Sequence, residues 1–408
     1  MAARPHMARL YAPIPPAWRR RLLTGLLSAS PPAVLRPGIS LIGYPFAEIG
    51  MGESLRSLAK SIEGAGVDYE VVNYDAQLVA PQNDRTLAPR LARAPTRAVN
   101  LFAVNADFLG STMHGVGLAA TQGRYNIVRP FWELLRIHPD WIGSLRQMDE
   151  IWATTTFIRD AFAAATDVPV THIPMAVSVP RVRPDRARFG IPPDATAFLF
   201  AFDFSSHPAR KNPSAVLDAY TMAFGARPRL PVVLVIKTMG QSPQKSQVLA
   251  ALHQRAAEDP RIIVIDEVLP RTVMHGLTAS CDVFVSLHRS EGFGLGIAEA
   301  MALGKPVVAT DYSGSTDFVT ATTGFPVPYR LIPVEPDDYP YFIEGQRWAD
   351  PDLGAAARIM AELAANPDLR VRTGAAARQF MDTAHSHETV GRLVVSRLAE
   401  IEAGPPRR

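Results

Sequence analysis

The chain is short of several things, and each shortage excludes a class of protein. Only one of its 408 residues is cysteine, Cys281, so no disulfide can close within the chain and no Cys/His set has zinc spacing. That thiol, in ASCDVFVSL, reads as a buried residue beside a strand and fits a cytoplasmic protein. No apolar run is long enough to span a bilayer. The N-terminus lacks both the uninterrupted apolar core and the small-residue cleavage site of a secretory signal. No carboxylate precedes Glu48, whereas Arg4, Arg9, Arg19, Arg20, Arg21 and Arg36 all do. The remainder carries 36 basic against 39 acidic residues, so the net charge of +3 comes wholly from the N-terminal segment. Such a balance offers no broad nucleic-acid-binding surface.

What is present is a globular composition, with 47% hydrophobic and 20% charged residues, in a length that suits two domains. Residues 1–36 form a basic extension. Within it AWRRRLLTGLL can make a short amphipathic helix with Trp18, Leu22 and Leu26 on one face. Two readings stand for it: contact with an anionic membrane at the inner face of the cell membrane, or an extension packed on the protein. From residue 37 to 178, ISLIGY, YEVVNY, AVNLFAV, YNIVRP, EIWATT and VTHIPM are near-continuous apolar runs, the pattern of a parallel sheet covered by helices on both faces. DAQLVAPQNDRTLAPRLARAPT between them reads as a long loop or partial helix. The proline- and arginine-rich stretch 179–195 reads as a linker. A second alternating set fills 196–385, with AFLFAFDF, PVVLVIK, RIIVIDE, DVFVSL, KPVVAT and TGFPV as strands. From Asp350 onward two or three alanine-rich helices follow, and 386–408 is a final helix and tail.

One stretch concentrates the chemistry: RSEGFGLGIAEAMALGKPVVATDYSGSTDFV, residues 289–319. A strand ends at Leu287, and a helix is predicted from about Gly294 to Gly304. Glu291 then stands at a strand's carboxyl end, just before a helix N-terminus. Glycines 292, 294 and 296 let backbone N–H groups approach an anion, and the helix end carries partial positive charge. Two carboxylates, Glu291 and Glu299, would repel a phosphate but suit vicinal hydroxyls. A diphosphate flanked by two polyols, a nucleotide sugar, satisfies the whole arrangement.

At this point the chain resembles glycosyltransferase family 4, also known as glycosyl transferases group 1, whose two-glutamate motif matches SEGFGLGIAEAMALGKPVVATDYSG. The resemblance covers the second domain well and the first more loosely. It implies an α/β, GT-B fold: two Rossmann-like domains, a deep interdomain cleft and C-terminal helices that cross back. By position, Glu291 would hold the donor sugar and Glu299 the ribose, with the amides of Phe293, Gly294 and Leu295 facing sugar and diphosphate. Arg210 and Lys211, in FDFSSHPARKNP, resemble the family's cationic pair, although Asp203 and Phe204 stand where Gly-Arg is usual. Asn212 would cap the next helix, with Pro213 at its first position. Lys237, ending VVLVIK, is a further candidate for the diphosphate or a solvated strand end. The base is expected beside IDEVLPRTVMHGL, near Glu267 and Val268.

In the first domain GYPFAEIGMGESLR places Gly50, Met51 and Gly52 in a loop before a helix expected to begin near Glu53. The third glycine and the strand-ending acid of a dinucleotide site are missing, and the resemblance implies an approach to diphosphate and acceptor instead. Trp132 and Glu133, after YNIVRP, are expected to line the cleft, while His138 reads as a surface histidine. Asn105 and Asp107 end a strand and could touch acceptor hydroxyls or serve structure. In DPD, Asp350 with Pro351 reads as a helix cap and first turn, not a metal site; no metal or other cofactor is expected.

The implied activity is a retaining glycosyltransferase, with hexose as the expected sugar. It would move sugar from a nucleoside-diphosphate donor to a hydroxyl of a glycan or lipid-linked acceptor in bacterial cell-surface or exopolysaccharide synthesis. Its mechanism would be front-face attack, with positioning and electrostatics supplied by the protein. The alternatives are a sugar-nucleotide epimerase or a phosphorylase of the same fold, the latter without a visible pyridoxal lysine, and a non-catalytic nucleotide-sugar-binding protein.

Overall fold

The structure is a computed structural model that describes residues 35–76 and 80–404. The amphipathic helix expected within residues 17–27 lies outside them.

In the first half β1 (Arg36–Gly43), β2 (Tyr69–Asn73), β3 (Arg97–Ala103), β4 (Tyr125–Val128), β5 (Glu150–Ala153) and β6 (Val170–His172) alternate with α1 (Gly50–Gly64), α2 (Ala106–Val116), α3 (Pro139–Leu145) and α4 (Thr156–Ala165). The strands form one parallel sheet in the order β2-β1-β3-β4-β5-β6. In the second half the strands are β7 (Thr196–Asp203), β8 (Val232–Met239), β9 (Ile262–Asp266), β10 (Val283–Ser286), β11 (Val307–Thr310) and β12 (Phe325–Val327). With them come α5 (Pro208–Lys211), α6 (Pro213–Phe224), α7 (Lys245–Glu258), α8 (Arg271–Ser280) and α9 (Leu295–Ala302). The second sheet is also parallel, in the order β12-β11-β10-β7-β8-β9.

The apolar runs are continuous because both faces of each sheet are buried. Phe198 and Phe200 of β7 join one core, while Ala197 and Leu199 join the core on the opposite face. Each such phenylalanine or leucine side chain contributes about 1.5–3 kcal/mol on burial. Strand order reverses between β1 and β3 and again between β7 and β10. Crevices at the carboxyl ends of such strands are where α/β sheets bind ligands.

The stretch expected as linker is partly built into the second unit. Phe189 and Ile191 are buried in its core. Arg186 pairs with Asp282 at 2.7 Å and donates to the Ala195 carbonyl at 2.7 Å. The long polar stretch of the first half holds a short 3-10 turn, Ala88–Arg90, and one bridge from Leu91 to Val71.

Three helices end the described chain: α10 (Leu353–Ala365), α11 (Pro367–Ala384) and α12 (His387–Ala403). The last crosses back to the first sheet, as expected. His385 accepts from Val177 N–H at 2.9 Å, so the outgoing and returning chains run side by side. Val390, Val394 and Leu398 then enter the core with α1, and Arg397 pairs with the fully buried Glu150 at 2.9 Å.

An antiparallel hairpin pairs β13 (Tyr329–Pro333) with β14 (Arg347–Pro351), and no sequence pattern marks it. It follows β12, yet its Val334, Tyr339 and Trp348 pack into the first unit's core with Trp132, Leu134 and Trp141. It also corrects the reading of DPD. Asp350 lies inside β14 and pairs with Arg330 at 2.9 Å, whereas Asp352 caps α10, accepting from Ala355 N–H at 2.8 Å.

Candidate functional site

The loop after β7 presents the cations. Asp203 accepts from Ser205 N–H at 2.8 Å and closes a 3-10 turn. His207 and Asn212, both with left-handed backbones (φ 63 and 57), then bracket the single turn α5. For His207 that conformation costs about 1–2 kcal/mol. Asn212 stands at the N-cap of α6 without capping it. Its side chain instead donates to the Leu287 carbonyl at 3.0 Å and ties this loop to the end of β10.

That tie brings Arg210 and Lys211 onto Glu291. Arg210 donates to Glu291 Oε2 at 3.0 Å and to the Ser290 carbonyl at 2.9 Å, while Lys211 Nζ pairs with Oε1. Burial would raise the Glu291 carboxyl, but Lys211 and Arg210 outweigh it and hold it down at about 2. Burial pushes the Lys211 ammonium down despite Glu291. On Arg210 burial is overcome by Glu291 and Glu133, which raise it. The backbone of Glu291 is fixed as well. Its N–H donates to Ser313 Oγ at 2.8 Å, and its carbonyl accepts from Gly314 N–H at 2.9 Å.

The first unit adds Glu133, whose Oε1 lies 3.7 Å from Arg210 and whose Oε2 accepts from Tyr339 at 2.6 Å. Glu133 thus stands beside Arg210 of the other unit, while the Trp132 side chain points elsewhere. Its indole is turned into the core between Trp141 and Tyr339 and donates to the Arg136 carbonyl at 3.0 Å. Beside Tyr339 and His207 a cavity of about 350 Å³ opens between the loops after β7 and β8 and the hairpin tip.

The glycine-rich turn after Glu291 does two jobs. Gly294 has φ +90 and is the N-cap of α9, a conformation that favours glycine. The N–H groups of Phe293, Gly294 and Leu295 donate to no acceptor among the described residues. Gly292 serves domain contact. A Cβ there would stand 3.1 Å from the Trp132 carbonyl, and its own carbonyl accepts from Thr155 Oγ1 at 2.9 Å. Ser290 Oγ donates to the Glu133 carbonyl, and Thr156 N–H to Asp317 at 2.8 Å. The two lips of the cleft are thus joined at its floor.

Other expected residues are dispersed. Lys237 is 3% exposed and forms no ion pair among the described residues; burial pushes its ammonium down. Glu267 and Val268 lie in the loop between β9 and α8, with Val268 69% exposed. Gly50, Met51 and Gly52 are not a loop but the first turn of α1, because Gly52 packs against the carbonyls of Ala47 and Tyr44. Asn105 accepts from Phe131 N–H at 3.0 Å, which braces the segment that carries Glu133. Asp107 accepts from Tyr341 at 2.9 Å, and burial raises its carboxyl. His138 caps α3 and is structural. Glu299 pairs with Arg271 at 2.9 Å and lies 3.2 Å from His275. Arg271, Tyr339 and His207 had no local motif to mark them. Among the described residues no helix is long and apolar enough to cross a membrane.

Residues 198–338 match the family model described as Glycosyl transferases group 1. The lipopolysaccharide core biosynthesis mannosyltransferase LpsB of Rhizobium meliloti is 30% identical over 192 residues, which are 45% of this chain and 52% of that protein. The D-inositol 3-phosphate glycosyltransferase of Streptomyces scabiei is 28% identical over 248 residues, 57% and 50% of the two chains. The chain thus spans about half the length of the curated relatives it matches. Anabaena HepE, solved with UDP and glucose, superposes with a TM-score of 0.66 at 14% identity, over 89% of this chain and 100% of that one. Sucrose-phosphate synthase from Thermosynechococcus elongatus superposes with a TM-score of 0.63 at 17% identity, over 90% and 100%. The fold is GT-B, and its second half carries the sequence pattern of the group 1 glycosyl transferases.

Proposed function

We propose that the chain is a nucleotide-sugar-dependent glycosyltransferase that retains configuration at the anomeric carbon. The observation that carries this reading is Glu291. It is a buried carboxylate held ionised by Lys211 and Arg210, beside the N–H groups of Phe293, Gly294 and Leu295, which have no acceptor among the described residues. The family match over residues 198–338 and the mannosyltransferase relative support the same class.

Each group then has a task. The amides and the N-terminus of α9 receive the diphosphate. Lys211, the more exposed of the two cations, turns from Glu291 toward the leaving phosphate, while the deeper Arg210 keeps Glu291 ionised. Glu291 orders the sugar hydroxyls and Glu299 the ribose; Lys237 adds positive potential beneath the diphosphate, and the loop at Glu267 and Val268 borders the base. The acceptor hydroxyl enters from the first unit, past Gly50, Met51, Gly52 and Glu133. It attacks on the face the diphosphate leaves, and a phosphate oxygen takes its proton. The acceptor is a growing glycan or a lipid-linked sugar, and hexose is the sugar transferred.

A thermal-shift panel of UDP, GDP and ADP with their sugars tests the donor assignment. One nucleotide at a hundredfold excess over its Kd should stabilise by about 2.7 kcal/mol. No shift with any of them would overturn the reading. Acceptor-dependent release of the nucleoside diphosphate, with the product's anomeric configuration read by NMR, then tests transfer and retention.

A further inference from the structure

Glu299 stands in the second turn of α9, and its carboxylate is held by one oxygen only. Oε1 lies 2.9 Å from Arg271 Nη2 and 3.2 Å from His275 Nε2, whereas Oε2 has no partner among the described residues. Both donors come from α8, one turn apart on one face. His275 is 2% exposed and cannot swing away. Arg271 is half exposed, and a second carboxylate fixes it: Glu53 of α1, on the other unit, pairs with its Nη1. Glu53 is braced in turn by Arg56 at 3.2 Å, and Arg56 is anchored to Asp84 at 3.1 Å and to the Ala47 carbonyl at 2.9 Å. A chain of charge therefore runs from the turn after β1, across the cleft, to one oxygen of Glu299.

We infer that Glu53 is a positioning residue for nucleotide recognition: through Arg271 it pins Oε1 of Glu299 and leaves Oε2 to accept a ribose hydroxyl. This rests on the ribose role proposed for Glu299. It adds that a first-unit residue governs the second unit's nucleotide site, and only while the two units are closed. A guanidinium shared by two carboxylates keeps one orientation, whereas one held by a single carboxylate on a half-exposed surface samples several. Removing Glu53 should therefore loosen Glu299 although Glu53 itself does not touch the nucleotide.

The test is calorimetric titration of the full chain and of Glu53→Gln with UDP, GDP and ADP, and with the 2′,3′-dideoxy form of whichever binds. The wild-type protein should prefer the ribonucleotide. Glu53→Gln should weaken ribonucleotide binding about five- to tenfold and leave dideoxynucleotide binding unchanged. Arg271→Gln should do the same, and the double variant should be no worse than either single one. An equal loss for both nucleotides would make Glu53 merely structural and overturn the inference. So would unchanged or tighter ribonucleotide binding, the latter marking Arg271 as a competitor of the ribose. If the wild-type protein binds none of the three nucleotides, the donor reading falls and this inference with it. Ribose discrimination that survives Glu53→Gln removes this inference alone.

Discussion

Glu291 sits where two opposed costs are balanced. A buried carboxylate is expensive, and so are a buried guanidinium and a buried ammonium, but together they stay ionised. Glu291→Gln keeps the shape and removes the charge, which leaves Arg210 and Lys211 facing each other with only Glu133 nearby. The expected cost is about 3–5 kcal/mol of stability, read as a lower midpoint in urea, together with loss of turnover. A variant as stable as the parent would mean that water already screens the cluster. At this scale the sequence was informative about charge and location. It marked Glu291, Arg210 and Lys211 as candidates, but adjacency in PARK does not reveal that the Arg210 side chain lies deeper than that of Lys211.

The elements show the same division between local and distant causes. Both parallel sheets were legible, since a strand buried on two faces writes its apolar run directly into the chain. The hairpin was not, because YRLIP and RWADP carry arginines and prolines and lack period-two alternation. What makes them strands is Trp348 packing on a core built about 200 residues earlier. The start of α1 was misplaced by three residues because Gly50 and Gly52 look like loop formers, and only the carbonyls of Ala47 and Tyr44 explain Gly52. Gly391 of α12 is a similar case. Glycine inside a helix costs about 1 kcal/mol relative to alanine, yet a Cβ there would stand 2.6 Å from the Ser61 carbonyl of α1. Overpacking of that kind costs about 1–3 kcal/mol, so Gly391→Ala should lower the melting temperature despite its better helix propensity. A rise would show that α12 can shift away from α1 freely.

For the whole molecule, buried histidines and Glu291 shape the response to acid; burial lowers His207, His385 and His387 in the same direction as His288. Burial lowers His288 from its ordinary 6.5 to about 4. Between those values the unfolded chain takes up a proton that the folded chain refuses, so stability falls as pH drops through that window. Glu291, lowered from 4.5 to about 2, acts in the same direction below it. Its stabilising contribution is complete above about 4.5 and is lost toward 2. Urea midpoints measured from pH 7.5 to 3.5 should therefore decline steadily, starting below about 6.5. A flat profile down to pH 4.5 would show that these histidines, His288 among them, can be protonated in place. The order of elements implied two domains and a cleft, but not that the chain crosses between them a third time.

That third crossing makes the protein a reporter of its own motion. The outgoing and returning chains meet side by side at Val177 and His385, a natural pivot. The hairpin grips the first unit elsewhere, through Tyr339 and Trp348 against Trp132 and Trp141. A rotation that parts the two lips about that pivot must pull this aromatic seam open and wet its indoles. Three of the chain's five tryptophans lie there. Such a rotation would change the colour and yield of the protein's intrinsic emission, without any dye attached.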